Sequence, residues 1–493
     1  MSLRIALPAA GLLAALALQP LPVWADYEAE QVVVSLQPGY TIEEVNERWG
    51  TITLDAFPEG NLYLLGTTGL GGEEELAELI AADPAVLEAE ANYLEETPES
   101  IRQMVIVIVG EGYVEYQDQT IAARIGLDEA HWMSRGAGAT VAILDTGVDP
   151  EHEALAGRLA PAGRDFVDGD LYPWDESNGV DEDQDGFTDE GFGHGTMVAG
   201  IVALVAPEAT LLPVRVLGDE GSGSAYQIAK GIRHAVNQGV DVINMSFGIP
   251  RNISILGHQI SYARDHGVVV IAGAGNENLE QAYYPAGDGD AAMITAVDSL
   301  DLKAAFADWH HDVLVSAPGT GVRSAWPGGQ WAQGDGCSFA TPFVSGEAAL
   351  IRSLAPGEPP RAVLERITDA IVPVDELPGN APYEEKLGTG RIYLPEALSG
   401  IASAPANAPV PASVRAAPNP SAGVVRLYAP VPLRAYEARV FDAAGRLVRR
   451  LAPAEVPEWH GDDGDARPVP PGVYFVRFAG PGRAITASVT IVR

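Results

Sequence analysis

Ser338 sits in the stretch Gly336-Cys337-Ser338-Phe339-Ala340-Thr341-Pro342-Phe343-Val344-Ser345-Gly346. Pro342 suits the first turn of a helix, where a missing N–H costs little. Beyond it Val344, Ala348, Ala349, Leu350 and Leu354 continue an apolar helical face. The pattern predicts Ser338 at a tight turn, permitted by Gly336, that enters a buried helix. Its hydroxyl would meet the positive end of the helix dipole, and its N–H would be placed to bind an anion. Those are the needs of a nucleophile that must also stabilise an oxyanion. Taken alone, such a serine reads as an N-cap before a core helix.

Three other stretches change that reading. Val141-Ala142-Ile143-Leu144-Asp145-Thr146-Gly147-Val148-Asp149 is an apolar run ending in Asp-Thr-Gly. It predicts a buried strand that delivers the carboxylate of Asp145 at its C-terminal end, where ligands collect in an open parallel sheet. Gly193-His194-Gly195-Thr196-Met197-Val198-Ala199-Gly200 places a histidine between glycines at the start of an apolar helix, so the imidazole has room to face a substrate. Val269-Val270-Ile271-Ala272-Gly273-Ala274-Gly275-Asn276-Glu277 is a strand ending in small residues and an amide. The small residues let a substrate backbone come close, and the Asn276 amide can donate to a developing oxyanion.

The order Asp145, His194, Ser338, each in its own glycine-containing context, resembles the subtilisin-like serine proteases from about Ile125 to about Leu398. The resemblance implies that Asp145 orients the base, that His194 is general base and then general acid, and that Ser338 is the nucleophile. Asn276 and the Ser338 N–H would form the oxyanion hole. Gly221-Ser222-Gly223 and Ser246-Phe247-Gly248 resemble the family's two substrate-pairing edges, with Ala274 and Gly275 beside them. An extended peptide adds there as a strand. Glu277 falls near the family's primary specificity pocket, which points to a basic side chain. The sequence departs from the family's usual residues at Cys337 (Thr), Phe339 (Met), Phe343 (His), Met197 (His) and Ile249 (Gly).

The rest of the chain must position these groups. Of 493 residues 47% are hydrophobic, enough for a globular core over several domains. A net charge of −38 repels nucleic acid and anionic membranes and attracts divalent cations. A single cysteine excludes an intramolecular disulfide. Residues 1–25 read as a signal peptide: Arg4, then an apolar Ile5 to Leu18, then Val23-Trp24-Ala25. No later segment has the length of a membrane helix.

Residues 26–96 alternate strand and helix signals: Gln31 to Leu36, Thr41 to Trp49, Leu62 to Gly66, Glu73 to Ala82 and Val86 to Asn92. One strand between Trp49 and Leu62 is not clearly marked. The pattern approaches a ferredoxin-like unit, which before such a protease domain resembles the family's inhibitory propeptide. Residues 97–117 would then be the processing linker. The apolar run Met104 to Val109 has no evident role there.

Residues 118–402 alternate strands and helices, which predicts an α/β, doubly wound parallel sheet of the subtilisin type. Residues 403–414 are Ala/Pro-rich and read as a linker. Residues 415–493 switch to short strands separated by turns, as in a small all-β sandwich, and resemble the immunoglobulin-like C-terminal domains of secreted bacterial proteins. Some such domains serve as sorting signals or surface anchors, so the resemblance implies contact with secretion machinery or the cell surface.

Asp181-Glu182-Asp183-Gln184-Asp185-Gly186-Phe187-Thr188-Asp189-Glu190 lies just before His194. Its alternate aspartates and glycine match the start of an EF-hand calcium loop, although the position for the closing Glu falls on Phe192. Asp181, Asp183, Asp185, Asp189 and the Phe187 carbonyl are the expected ligands of a structural calcium.

Together these readings predict a secreted or cell-surface serine endopeptidase, made as a zymogen. Its partners would be polypeptide substrates and its own propeptide. The alternative is a catalytically weak surface or adhesion protein that keeps the fold for binding.

Overall fold

The computed structural model describes residues 27–70, 72–97, 106–110, 112–182, 184, 186–401, 415–428, 437–442, 446–451, 457–463, 467–480 and 483–492. The expected signal peptide, the Ala/Pro linker, Asp183 and Asp185 lie outside them.

The first unit runs β1 (Tyr27–Leu36), α1 (Ile42–Trp49), β2 (Ile52–Phe57), β3 (Leu62–Gly66), α2 (Glu73–Ala81) and β4 (Val86–Glu96), with sheet order β2-β3-β1-β4. A capping box between Thr41 and Glu44 starts α1. β2 is the strand the sequence did not mark. It is exposed almost throughout, so it carries no apolar alternation. Alternation along β1 divides its side chains between two neighbours. Val32 and Val34 pack with Val45 and Ile80. Val33 joins a cluster with Leu212, Tyr226 and Leu256 of the next domain.

That domain continues with β5 (Val107–Gly110), β6 (Thr140–Asp145), β7 (Arg164–Asp165), α3 (His194–Val205), β8 (Thr210–Arg215), β9 (Ser222–Ser224), α4 (Ala225–Asn237), β10 (Val242–Met245) and α5 (Ser254–Asp265). It closes with β11 (Val269–Gly273), β12 (Ala292–Val297), β13 (Val313–Pro318), β14 (Val322–Trp326), β15 (Gln330–Gly334), α6 (Cys337–Leu354), β16 (Ile371–Val372) and β17 (Arg391–Ile392). The central sheet has the order β16-β17-β13-β12-β11-β10-β6-β8-β7, and β6, β8, β10, β11, β12 and β13 are parallel. Val141, Ile143, Val242, Val269 and Ile271 pack with α3 and α6. Ala142, Leu144, Ile243, Val270 and Ala272 pack with α4 and α5. Helices therefore cover both faces, which is why these strands read as unbroken apolar runs.

Part of the segment expected to be a processing linker belongs to this domain. Val107–Gly110 pairs antiparallel with β15, which accounts for the described end of the apolar run. The following helix, Tyr113–Gln117, places Tyr116 against Trp331, with ring centroids 4.7 Å apart. The Tyr116 hydroxyl donates to Gly200 O at 2.6 Å.

The last unit has a three-stranded and a four-stranded antiparallel sheet around Val425, Leu427, Val440, Trp459, Val476 and Val489. Among the described residues no helix is long and apolar enough to cross a membrane.

Candidate active site

β6, buried between β8 and β10, ends on Asp145. The Asp145 Oδ1 accepts from His194 Nδ1 at 2.7 Å and from Thr146 N at 2.9 Å. Both partners of the first bond are buried, with side chains 1% and 0% exposed. The carboxylate thus fixes the tautomer, putting the proton on Nδ1 and leaving Nε2 as the basic nitrogen. His194 is the first residue of α3. The approach needs its glycines: Gly193 has φ 88, and a Cβ on Gly195 would stand 2.1 Å from Gly147 O.

Ser338 is set differently from the expectation. Helix α6 starts at Cys337, so Ser338 lies in its first turn and Pro342 lies inside the helix. Pro342 has no N–H to give to the carbonyl four residues back, which is that of Ser338. Ser246 fills the gap: its Oγ donates to Ser338 O at 2.9 Å. The serine's N–H belongs to the helix's first turn, where N–H groups have no acceptor within the helix. Asn276 Oδ1 accepts from Cys337 N at 2.9 Å, which commits the amide oxygen and leaves its NH2 end as the donor. Cys337 is buried with Sγ 4.0 Å from Thr295 Oγ1. The departures Met197, Phe339 and Phe343 are also buried. The Phe339 ring lies 5.5 Å from that of His194.

Of the two expected edges, Gly221-Ser222-Gly223 meets an extended strand, and that strand is the end of β4. Leu94 pairs with Ser224, Glu95 with Gly223 and Glu96 with Ser222, all antiparallel. Thr97 N donates to Gly221 O at 2.9 Å. On the other edge Gly248 N donates to Glu96 O at 3.0 Å. Ser246 and Phe247 turn their side chains inward, Ser246 beneath Ser338 and Phe247 into the core. Ala274 and Gly275, both buried, carry the turn into Asn276. Glu277 is half-buried and accepts from Gln281 Nε2 at 2.9 Å.

Sequence reasoning missed Asp175. It is buried and collects Gly193 N (2.9 Å), Thr146 Oγ1 (3.3 Å), Thr196 N (3.2 Å) and Thr196 Oγ1 (2.6 Å). It clamps the turn after Asp145 to the start of the helix carrying His194. Burial pushes its carboxyl up to about 7, against donors that favour the ion. Asp175→Asn turns an NH2 toward these donors. It should lower stability by about 2–3 kcal/mol and reduce turnover. Thermal melting and casein digestion check this, and a variant equal to wild type in both would remove Asp175 from the site's support. Lys303 was missed as well. Its Nζ donates to Asn278 Oδ1 (2.8 Å), Ala304 O and Ala307 O, bracing the turn after Asn276, and burial pulls it down to about 8.

In the acidic loop Asp181 Oδ2 accepts from Gly186 N at 3.1 Å. Asp189 is turned toward the backbone N–H groups of Asn178 and Gly179. Glu182, Glu190 and Glu220 were not singled out. Glu182 N donates to Glu220 Oε1 at 3.2 Å, and burial with Glu190 and Glu182 beside it pushes Glu220 up to about 8. The loop abuts the groove: Gly191 N donates to Asp219 O at 2.7 Å, and a Cβ on Gly191 would stand 2.2 Å from Gly221 N. A separate group, His310, His311 and Asp312, has ligand atoms within 4.8 Å of one another, but it precedes β13 at the N-terminal end of that strand.

A buried carboxylate–imidazole pair beside a helix with a serine in its first turn, in a doubly wound α/β domain, defines a serine hydrolase site. Residues 136–390 match the subtilase family (peptidase S8), and the chain belongs to it. It is 37% identical over 259 residues to thermitase of Thermoactinomyces vulgaris, covering 50% of this chain and 87% of that one. It is 35% identical over 276 residues to an intracellular serine protease of Paenibacillus polymyxa, covering 53% and 80%. Among solved structures, fervidolysin of Fervidobacterium pennivorans superposes with a TM-score of 0.61 at 20% identity, over 94% of this chain and 76% of that one, a likeness of fold. The protein is a subtilisin-like serine endopeptidase.

Proposed function

We propose that this chain is a secreted zymogen that hydrolyses peptide bonds through an acyl-enzyme. Ser338 attacks the carbonyl, His194 takes its proton and returns it to the leaving amine, and Asp145 holds the imidazole and stabilises its cation. The Asn276 NH2 and the Ser338 N–H receive the oxyanion. Residues 27–97 serve as the inhibitory propeptide. The observation that carries this reading is the end of β4 lying in the groove, bonded to Gly221 on one side and Gly248 on the other, as a bound peptide would be. The cut falls between Thr97, still held in the groove, and Val107, already part of the peptidase domain. The C-terminal unit serves sorting or surface attachment. The test is digestion of casein by chain freed of residues 27–97, with mass spectrometry of the products. No cleavage would overturn the reading, and Glu277 predicts an excess of Lys or Arg before the cut.

A structural calcium belongs to the same proposal, held by Asp181, Asp183, Asp185, the Phe187 carbonyl and Asp189. The donor set fits a hard divalent cation. Asp181 Oδ1, Glu190 Oε1 and Glu220 Oε2 are buried oxygens without a hydrogen-bond partner, so they want a positive charge nearby. The ion supplies rigidity to the loop and takes no part in the chemistry. Chelator should lower the melting temperature and speed autolysis, and added calcium should reverse both by binding the folded state. Asp181→Asn should blunt the response. An unchanged melting curve in chelator would leave this loop a solvated acidic surface.

A further inference from the structure

The strand in the groove carries a carboxyl that no cation among the described residues pairs with. Glu95 is 0% exposed, and neither of its carboxyl oxygens has a hydrogen-bond partner. Side chains alternate along a strand, and that of Glu95 enters a pocket lined by Asn252, Ile253, Leu256, Ile260, Tyr284 and Pro285. Among the described residues the lining, completed by Gly257 and Asp288, contains no lysine, arginine or histidine.

Among the described residues, the cationic groups around the pocket are engaged with other acids. On the strand itself Glu96 adds like charge. On the segment that follows the Asn276 turn, Tyr283 is a buried phenol, Tyr284 lines the pocket, and Asp288 is another acid whose carboxyl is raised by burial. On α5, His258 is engaged at 2.7 Å with Glu88, and Arg264, which also acts on Asp288, pairs with Asp265 and Asp290. The Asn252 amide in the lining is neutral.

We propose that Glu95 is a pH switch on the zymogen: protonated, it lets residues 94–97 stay docked, and its ionisation as the pH rises expels the strand and opens the groove. This rests on the reading of residues 27–97 as the inhibitory propeptide.

An ionised carboxylate in an apolar, unpaired pocket is strongly disfavoured, whereas the neutral acid is tolerated. Burial accordingly holds the docked carboxyl well above its ordinary range. The sign follows. A group whose pKa is raised on docking contributes fully below its undocked value, about 4.3, and that contribution is lost as pH rises toward the docked value. In that window docking weakens by up to about tenfold per pH unit, until the docked carboxyl itself ionises.

The test uses the full chain carrying Ser338→Ala, so that the strand cannot be cut. Hydrogen exchange is followed at the Thr97 and Gly248 amides, the two N–H groups that bond strand to groove. Rates are corrected for intrinsic pH dependence, and core amides of β6 serve as the folding control. Protection should fall with rising pH above about 4.5, by up to about tenfold per unit. Adding Glu95→Gln should flatten the profile and raise protection at pH 7 by at least about tenfold. Parallel profiles with and without Glu95→Gln, or weaker protection in Glu95→Gln at pH 7, would overturn the proposal. The readout needs no turnover, so a failure of the peptidase reading would appear separately, as casein left intact by the freed enzyme.

Discussion

Ser338→Ala abolishes labelling by a fluorophosphonate and lowers turnover by roughly 10⁶-fold, the size measured for loss of the triad serine in subtilisin. The expectation rests on the placement of the hydroxyl. Ser338 enters α6 in its first turn, and its carbonyl is held by Ser246. The neighbouring thiol cannot take over, because Cys337 is buried and packed toward Thr295. Residual turnover over water should persist, since binding and the oxyanion donors remain. The same variant should accumulate as uncut precursor. Casein digestion by Ser338→Ala at the wild-type rate would remove Ser338 as nucleophile. Efficient processing of that precursor in a protease-free preparation would show that the cut is not made by this active site.

Asn276→Leu should lower kcat by roughly 10²–10³-fold and leave KM nearly unchanged, again the size seen in subtilisin for this type of donor. The split arises because the oxyanion exists in the transition state and not in the bound substrate. Leucine also removes the acceptor of the Cys337 N–H, so part of the loss could come from the start of α6. Asn276→Asp separates the two effects, since it keeps an acceptor oxygen and removes the donor. Comparable losses in both variants, with unchanged melting, assign the effect to donation. Wild-type kcat in Asn276→Leu would rule it out.

The site was legible where chemistry sits in a short context. Asp145, His194, Asn276 and Ser338 each stand at the end of an apolar run or beside small residues, and parallel strands buried on both faces leave such runs unbroken. Features built from distant segments were not legible. Asp175 looks like one more loop acid until Gly193, Thr146 and Thr196 converge on it. The apolar run ending at Val109 has no partner nearby in the chain, since β15 lies more than 200 residues away. β2 was obscure because its side chains face solvent. The start of α6 was misplaced because Pro342 favours a first turn on local grounds, and only the hydroxyl of Ser246, from another strand's end, makes an interior position tolerable. Glu95 carries a residue type that argues against burial, so its docking in the groove had no local mark.

The pairing of Ser246 with Pro342 makes two distant positions one heritable unit. A serine is needed at 246 because residue 342 cannot donate to the Ser338 carbonyl. Ser246→Ala alone orphans that carbonyl beneath the nucleophile, whereas the same change beside Pro342→Ala returns a backbone donor from within the helix. The effect of losing Ser246 is thus conditional on residue 342: a walk through sequence space that loses the serine first crosses an impaired intermediate, whereas one that loses the proline first does not.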